Sequence, residues 1–174
     1  MSVKRLLKQY LWDIVAGALA LALGWLAAST FARADDNALR VLLSPHAKMA
    51  EWFYNISLSY QNGIGYVYSD AFSIGASCMG MNFIVMLFCM CVCVFSHKFT
   101  SWRKPVFFAA AAIGSVIIGV FISCIRIIGS IPLVNRSQFY ALHTGIGAAF
   151  YLAALTGVYI ILSKLTGGLH EKHS

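Results

Sequence analysis

The chain has 174 residues, 60% of them hydrophobic and only 11% charged, with a formal net charge of +7. A soluble domain carries ~25% charged residues, so this composition excludes one. Apolar runs near the ~18–20 residues that span a bilayer point instead to a single-domain, all-α integral membrane protein.

The N-terminal segment carries Lys4, Arg5 and Lys8, and an apolar run follows from Tyr10 to Phe31 with Asp13 near its start. Ala32-Arg33-Ala34 has the small-x-small form of a signal-peptide cleavage site. The run is long for a signal peptide, and Ala16, Ala20, Gly24 and Ala28 recur every four residues, a stripe suited to close helix packing. A retained first transmembrane helix is the favoured reading. The segment 32–77 then lies between membrane spans. Within it, Ser44-Pro45 has the form of a helix N-cap with proline in the first turn. Met49, Phe53, Ile56 and Tyr60 follow on one face, which predicts a short amphipathic helix that lies on the outer membrane surface or caps the bundle. Gln61-Asn62-Gly63-Ile64-Gly65 breaks it, and Asn-Gly is a tight-turn signal. Tyr66 to Ile74 is aromatic-rich, and its pattern leaves extended and irregular conformations open.

Three further apolar runs extend from Cys78 to Phe95, Pro105 to Ile131 and Phe139 to Leu162. The first two are separated by a basic loop containing His97, Lys98, Arg103 and Lys104, and the last two by a short loop around Arg136. Lys164, His170, Lys172 and His173 lie in the tail. The basic flanks account for the net charge through insertion topology and anionic headgroups, and they do not imply nucleic acid. The positive-inside rule predicts both termini and the 96–104 loop in the cytoplasm, with four helices and the 32–77 segment outside.

Each of the last three spans carries one chemically notable residue, Cys78, Arg126 and His143. At ~1.5 Å per helical residue, Cys78 lies roughly 27 Å above Ser96, Arg126 roughly 31 Å above Pro105 and His143 roughly 31 Å above Lys164. Three helices of alternating direction thus bring Cys, Arg and His to one level, the outer edge of a ~30 Å hydrocarbon core. A thiolate is a nucleophile that needs a base or a nearby positive charge. His143 could move the proton, and Arg126 could stabilise a thiolate or an oxyanion. An arginine within an apolar run is costly enough to mark a functional site. The alternatives are a packing cysteine, a Cys78–Cys124 disulfide, an Arg126 that snorkels to headgroups and a His143 that caps its helix. Cys89, Cys91 and Cys93 point to different sides of a helix and do not compose a metal site, and no cofactor is required. A lone His143 lacks the facing partner of bis-histidine haem ligation. His46, in the outer segment, is a weaker rival for the role of His143.

Three stretches resemble motifs of the exosortase/archaeosortase family of membrane cysteine transpeptidases. They are Ala76-Ser77-Cys78-Met79-Gly80-Met81-Asn82-Phe83, Ile122-Ser123-Cys124-Ile125-Arg126-Ile127 and His143-Thr144-Gly145-Ile146-Gly147-Ala148-Ala149-Phe150-Tyr151. The chain is similar to the short members, among them the exosortase K branch. It departs where many members have Ser-Gly after the cysteine, here Met79-Gly80, and Asn three residues before the arginine, here Ser123. The resemblance implies a multi-pass enzyme of the bacterial cytoplasmic membrane with its active site outside. It implies Cys78 as nucleophile, Arg126 as stabiliser and His143 as general acid/base. Its partners would be membrane-anchored proteins with a C-terminal sorting signal, made of a short motif, a transmembrane helix and a basic tail, together with a lipid or glycan acceptor. Two other readings compete. One is a four-helix thiol–disulfide redox protein, and the other a non-catalytic membrane subunit.

Overall fold

Four helices long and apolar enough to cross a membrane form the body of the molecule, with spans of 22, 23, 30 and 25 residues at Leu11–Ala32, Ala76–Lys98, Lys104–Leu133 and His143–Gly167. The chain is a multi-pass membrane protein whose spans are all α-helical, as its composition leads one to expect. The computed structural model describes residues 3–69, 71–99, 103–134 and 139–171. The loop around Arg136, and Lys172 and His173 of the tail, fall outside the described residues.

Helix α1 spans Val3–Ala32, α3 Met81–Phe95, α4 Lys104–Ser130 and α5 Phe139–Glu171. The last helix runs past the expected end at Leu162. The small-residue stripe of α1 meets α3: Ala20 is fully buried, and a β-carbon at Gly24 would run into Val85. Without bulky side chains on this stripe the two backbones approach closely, which is how helices associate in lipid. The core at this level is Ala20, Phe83, Leu87, Phe88, Cys91, Val92 and Ala111, with α3 at its centre. Lys104 Nζ pairs with Asp13 at 2.7 Å, tying the start of α4 to the start of the α1 span. Large apolar side chains such as Leu19, Trp25, Ile117 and Leu152 remain exposed on the outward faces, as lipid-facing residues must be.

Between α1 and α3 the chain folds into a cap. Helix α2 spans Asp36–Tyr54, and strands β1 Ser59–Gln61, β2 Gly65–Tyr68 and β3 Phe72–Ile74 form an antiparallel sheet in the order β1-β2-β3. The helix starts nine residues before the expected Ser44-Pro45 boundary, because Asp35 caps it by accepting the Ala38 N–H at 3.0 Å. Pro45 lies inside the helix. The helix also ends earlier than expected, at Asn55, whose φ of 52° makes a left-handed C-cap. Asn62-Gly63 instead turns the β1–β2 hairpin, with the Ile64 N–H bonded to Gln61 O at 3.2 Å. The buried face of α2 is Leu43, His46, Ala47 and Ala50, not the predicted stripe, and Phe53 is exposed. The aromatic stretch resolves as extended: Tyr66 pairs with Ile74 and Tyr68 with Phe72. Tyr60 and Tyr66 hydroxyls bond to Asp36 O at 2.9 Å and Arg40 O at 3.1 Å, which fastens the sheet to α2. Tyr54 Oη bonds to Ile128 O at 2.6 Å, and Ala50, Ile74 and Ile127 share a core, which seats the cap on the end of α4.

His46 is 1% exposed and neither ring nitrogen has a well-aligned hydrogen-bond partner. Burial lowers its pKa below the ordinary histidine value, and the Leu42 carbonyl one turn back offsets only part of this. A histidine held neutral in the folded state contributes full stability above its unfolded pKa of ~6.5, and the contribution declines as pH falls below it. Amide exchange in α2 is therefore expected to be faster at about pH 5 than at about pH 7.5 after correction for intrinsic rates. In His46→Leu this difference shrinks. An α2 exchange difference that is unchanged in His46→Leu would assign the effect elsewhere.

Candidate active site

Cys78 does not begin α3, as the apolar run suggested. It sits in a 3₁₀ turn, Ala76–Met79, with its N–H bonded to Gly75 O at 2.9 Å. Gly80 follows with φ 70°, a left-handed conformation that is cheap only for glycine, and α3 starts at Met81. A β-carbon at Gly80 would also collide with Ser123 Oγ and Tyr151 Oη. The glycine thus both turns the chain and lets the cysteine turn settle onto α4 and α5. Ser123 Oγ donates to Met79 O at 3.0 Å, so this serine holds the cysteine turn from α4. Met79 is itself buried.

Arg126 and His143 meet directly. His143, Gly147 and Tyr151 are spaced four apart on α5 and so share one face. Arg126 of α4 lies across that face. A β-carbon at Gly147 would come within 2.9 Å of Arg126 Cδ, so glycine there makes the room. The guanidinium forks: Nη1 donates to Tyr151 Oη at 2.7 Å and Nη2 meets His143 Nε2 at 2.9 Å. Ser130, one turn after Arg126, donates to Arg126 O at 2.7 Å and faces His143 Nδ1 at 2.9 Å. With its proton committed to a carbonyl, Ser130 accepts from Nδ1–H, and Nε2 accepts from the arginine. This network assigns the neutral Nδ1–H tautomer of His143. Phe139 stacks on the imidazole one turn earlier, with centroids 5.4 Å apart.

Among the described residues no carboxylate pairs with Arg126, and its buried Nε has no partner. A positive charge with a spare donor in an apolar region favours the approach of an anionic group. Both arms of its fork are taken up by side chains of α5.

Two spaces flank this network. A cavity of about 40 Å³ is lined by Cys78, His143 and Ser130 with Phe72, Ile127 and Phe139 among the others. On the other side, a cleft of about 340 Å³ is lined by Ala28, Phe31 and Ala32 of α1, Ser77, Asn82, Arg126 and Tyr151. Arg126 thus contacts the His143 that borders the cavity and itself borders the cleft.

The structure therefore brings together all three residues singled out from the sequence. Cys78 and His143 share a cavity, and His143 and Arg126 share a hydrogen bond. Cys78 and Cys124 are both free thiols, and Cys124 is buried in α4 away from the Cys78 cavity. His46 is buried in the cap and does not line either space. No group of three metal-ligating side chains occurs among the described residues. Sequence reasoning missed Ser130 and the role of Tyr151. The signals were present in the four-residue spacings Arg126–Ser130 and His143–Gly147–Tyr151, which place each set on one helical face.

Tyr151 stacks on Phe83 of α3, with centroids 4.4 Å apart and planes 10° apart, and its hydroxyl also lies 3.4 Å from Ser123 Oγ. Tyr151→Phe keeps the stacking and removes the contact to Arg126. It is expected to cost about 1 kcal/mol of stability, read from thermal unfolding of the purified protein. Unchanged stability would show that the arginine does not need this partner.

Comparison with models of protein families, with curated proteins and with solved structures finds no match.

Proposed function

We propose that this chain is a membrane cysteine transpeptidase of the exosortase/archaeosortase kind, acting on C-terminal sorting signals of exported, membrane-anchored proteins. The observation that carries the reading is the shared cavity of Cys78 and His143, with the imidazole oriented by Arg126 and Ser130. Hydrogen-bonded support of this kind on a histidine beside a thiol is the arrangement nucleophilic catalysis needs.

The reaction follows from the donors available. The substrate carbonyl oxygen takes a donor from Arg126, whose Nη2 turns from His143 Nε2 towards it. This frees the Nε2 lone pair to take the Cys78 proton. The thiolate attacks the carbonyl carbon, and the negative charge on oxygen is met by the guanidinium. As the tetrahedral intermediate collapses, the C–N bond breaks and the leaving amine takes the proton from His143. The acyl group is then a thioester on Cys78. An acceptor amine or hydroxyl, or water, attacks it and gives its proton to His143, and the sulfur leaves to be reprotonated. The cleft beside Arg126, walled by the end of α1, receives the part of the substrate that continues into the bilayer. By the positive-inside rule, the cap and this site face outside and both termini face the cytoplasm of a bacterial cell.

The test is co-expression with membrane-anchored reporter proteins that carry a C-terminal transmembrane helix, a basic tail and an epitope tag. Wild-type protein is expected to release the tag and Cys78→Ala to retain it, with both inserted in the membrane at equal levels. Tag release by Cys78→Ala equal to wild type would overturn the nucleophile and with it the reading.

A further inference from the structure

Phe72, Ser73 and Ile74, the whole of β3, border the cavity that holds Cys78 and His143. Successive side chains of a strand point to opposite faces. Three in a row can border one space only where the strand presents its edge. One edge of β3 pairs with β2, and the sheet order β1-β2-β3 leaves the other edge without a strand. A β-carbon at Gly65 on β2 would run into the Ile74 carbonyl oxygen, so that carbonyl is on the β2 side. Backbone groups alternate sides in an antiparallel pair, and Ser73 therefore turns its N–H and C=O to the open edge. Among the described residues no turn or loop hydrogen bond engages the Ser73 backbone. From Ile74 the chain passes through Gly75 directly into the Cys78 turn.

We propose that the open edge of β3 takes the acyl-side segment of the substrate polypeptide as a fourth, extended strand, which fixes the scissile carbonyl against Cys78. This rests on the cysteine-peptidase reading above. The occupant follows from the space. An edge strand offers alternating donors and acceptors that only an extended backbone can match. A cavity of about 40 Å³ walled by Phe72, Ile127 and Phe139 admits one small uncharged side chain and excludes a helix. The residue on the acyl side of the cleaved bond is therefore small, while its neighbours in the chain lie along Ser73.

The test uses the full-length protein in nanodiscs and two reagents with the same electrophile, acetyl-Ala-chloromethyl ketone and acetyl-Ala-Ala-Ala-chloromethyl ketone. In each, the Cys78 sulfur displaces chloride, and peptide mass spectrometry measures labelling at Cys78 alone. The tripeptide reagent is expected to label about tenfold faster, the worth of one or two backbone hydrogen bonds. N-methylation of one of its amides removes this advantage, and N-methylation of the adjacent amide, which points away, preserves it. Ser73→Pro, a substitution an edge strand accommodates, removes the advantage. Equal rates for the two reagents on wild type, or an advantage insensitive to methylation at either amide, would overturn the edge assignment without reference to any variant. The underlying reading is tested separately with the single-residue reagent. If His143→Ala does not slow its reaction at Cys78, the cysteine-peptidase reading fails, whatever the length dependence.

Discussion

His143→Ala is expected to lower substrate processing by about 10²–10⁴-fold while the chain remains folded in the membrane. The imidazole lines the cavity with Cys78, and both of its nitrogens are already oriented, Nδ1 by Ser130 and Nε2 by Arg126. In the proposed mechanism its removal takes away the base for the first step and the acid for the second. The structural cost is small by comparison: two hydrogen bonds at about 1 kcal/mol each. Arg126 keeps its bond to Tyr151. The space left by the imidazole suggests a sharper readout than loss alone. Added imidazole is expected to restore part of the activity of His143→Ala and none of that of Cys78→Ala. Equal activity of His143→Ala and wild type would remove the histidine from the chemistry.

Arg126→Lys is expected to cost about 10²–10³-fold, close to the loss of an oxyanion donor, although it keeps the charge. The native side chain reaches Tyr151 with Nη1 and His143 with Nη2 at the same time, and its Nε is a third, unpartnered donor. An ammonium is a compact point charge without that planar fork. It can satisfy one partner and leaves the other without its donor. The measurement that separates the two functions of the arginine compares Arg126→Lys with Arg126→Gln. A shared large loss assigns the effect to fork geometry. Full activity in Arg126→Lys would mean that charge alone suffices and that the forked contacts are incidental.

The spans and the site residues were legible in the sequence for different reasons. Membrane helices are read from apolar length, and the runs starting at Tyr10, Cys78, Pro105 and Phe139 each fall on an apolar span. Helix rise then gives approximate depth, which is why residues from three separate spans could be expected to meet. Their hydrogen-bond partners were less visible. Serine, tyrosine and glycine are common in membrane helices, and only the position of Arg126 across the α5 face gives Ser130, Gly147 and Tyr151 their meaning. The cap was the least legible part. Its helix boundary depends on Asp35, one of several polar residues in a mixed stretch, and Pro45 looked like a start although it lies in the interior. The large side chains Met49 and Phe53 suggested a buried face, but α2 buries instead the face with the small Ala47 and Ala50, and Ala50 packs against Ile127 of α4 and Ile74 of the sheet. The three short strands lack clear alternation because Tyr60 and Tyr66 use their hydroxyls on α2 rather than burying whole rings. Gly80 shows the same limit on a smaller scale: its positive φ moves Cys78 out of α3 into a turn, which periodicity alone does not reveal.

Capture of the acyl-enzyme tests the central claim most directly. The protein is isolated under denaturing, non-reducing, mildly acidic conditions from membranes that contain a processed substrate, and the mass of the peptide carrying Cys78 is measured. An adduct of the substrate's acyl fragment is expected on Cys78, released by hydroxylamine as a thioester is, and absent from Cys78→Ala. Processing that continues with Cys78 unmodified, or an adduct found on another cysteine and retained in Cys78→Ala, would contradict it.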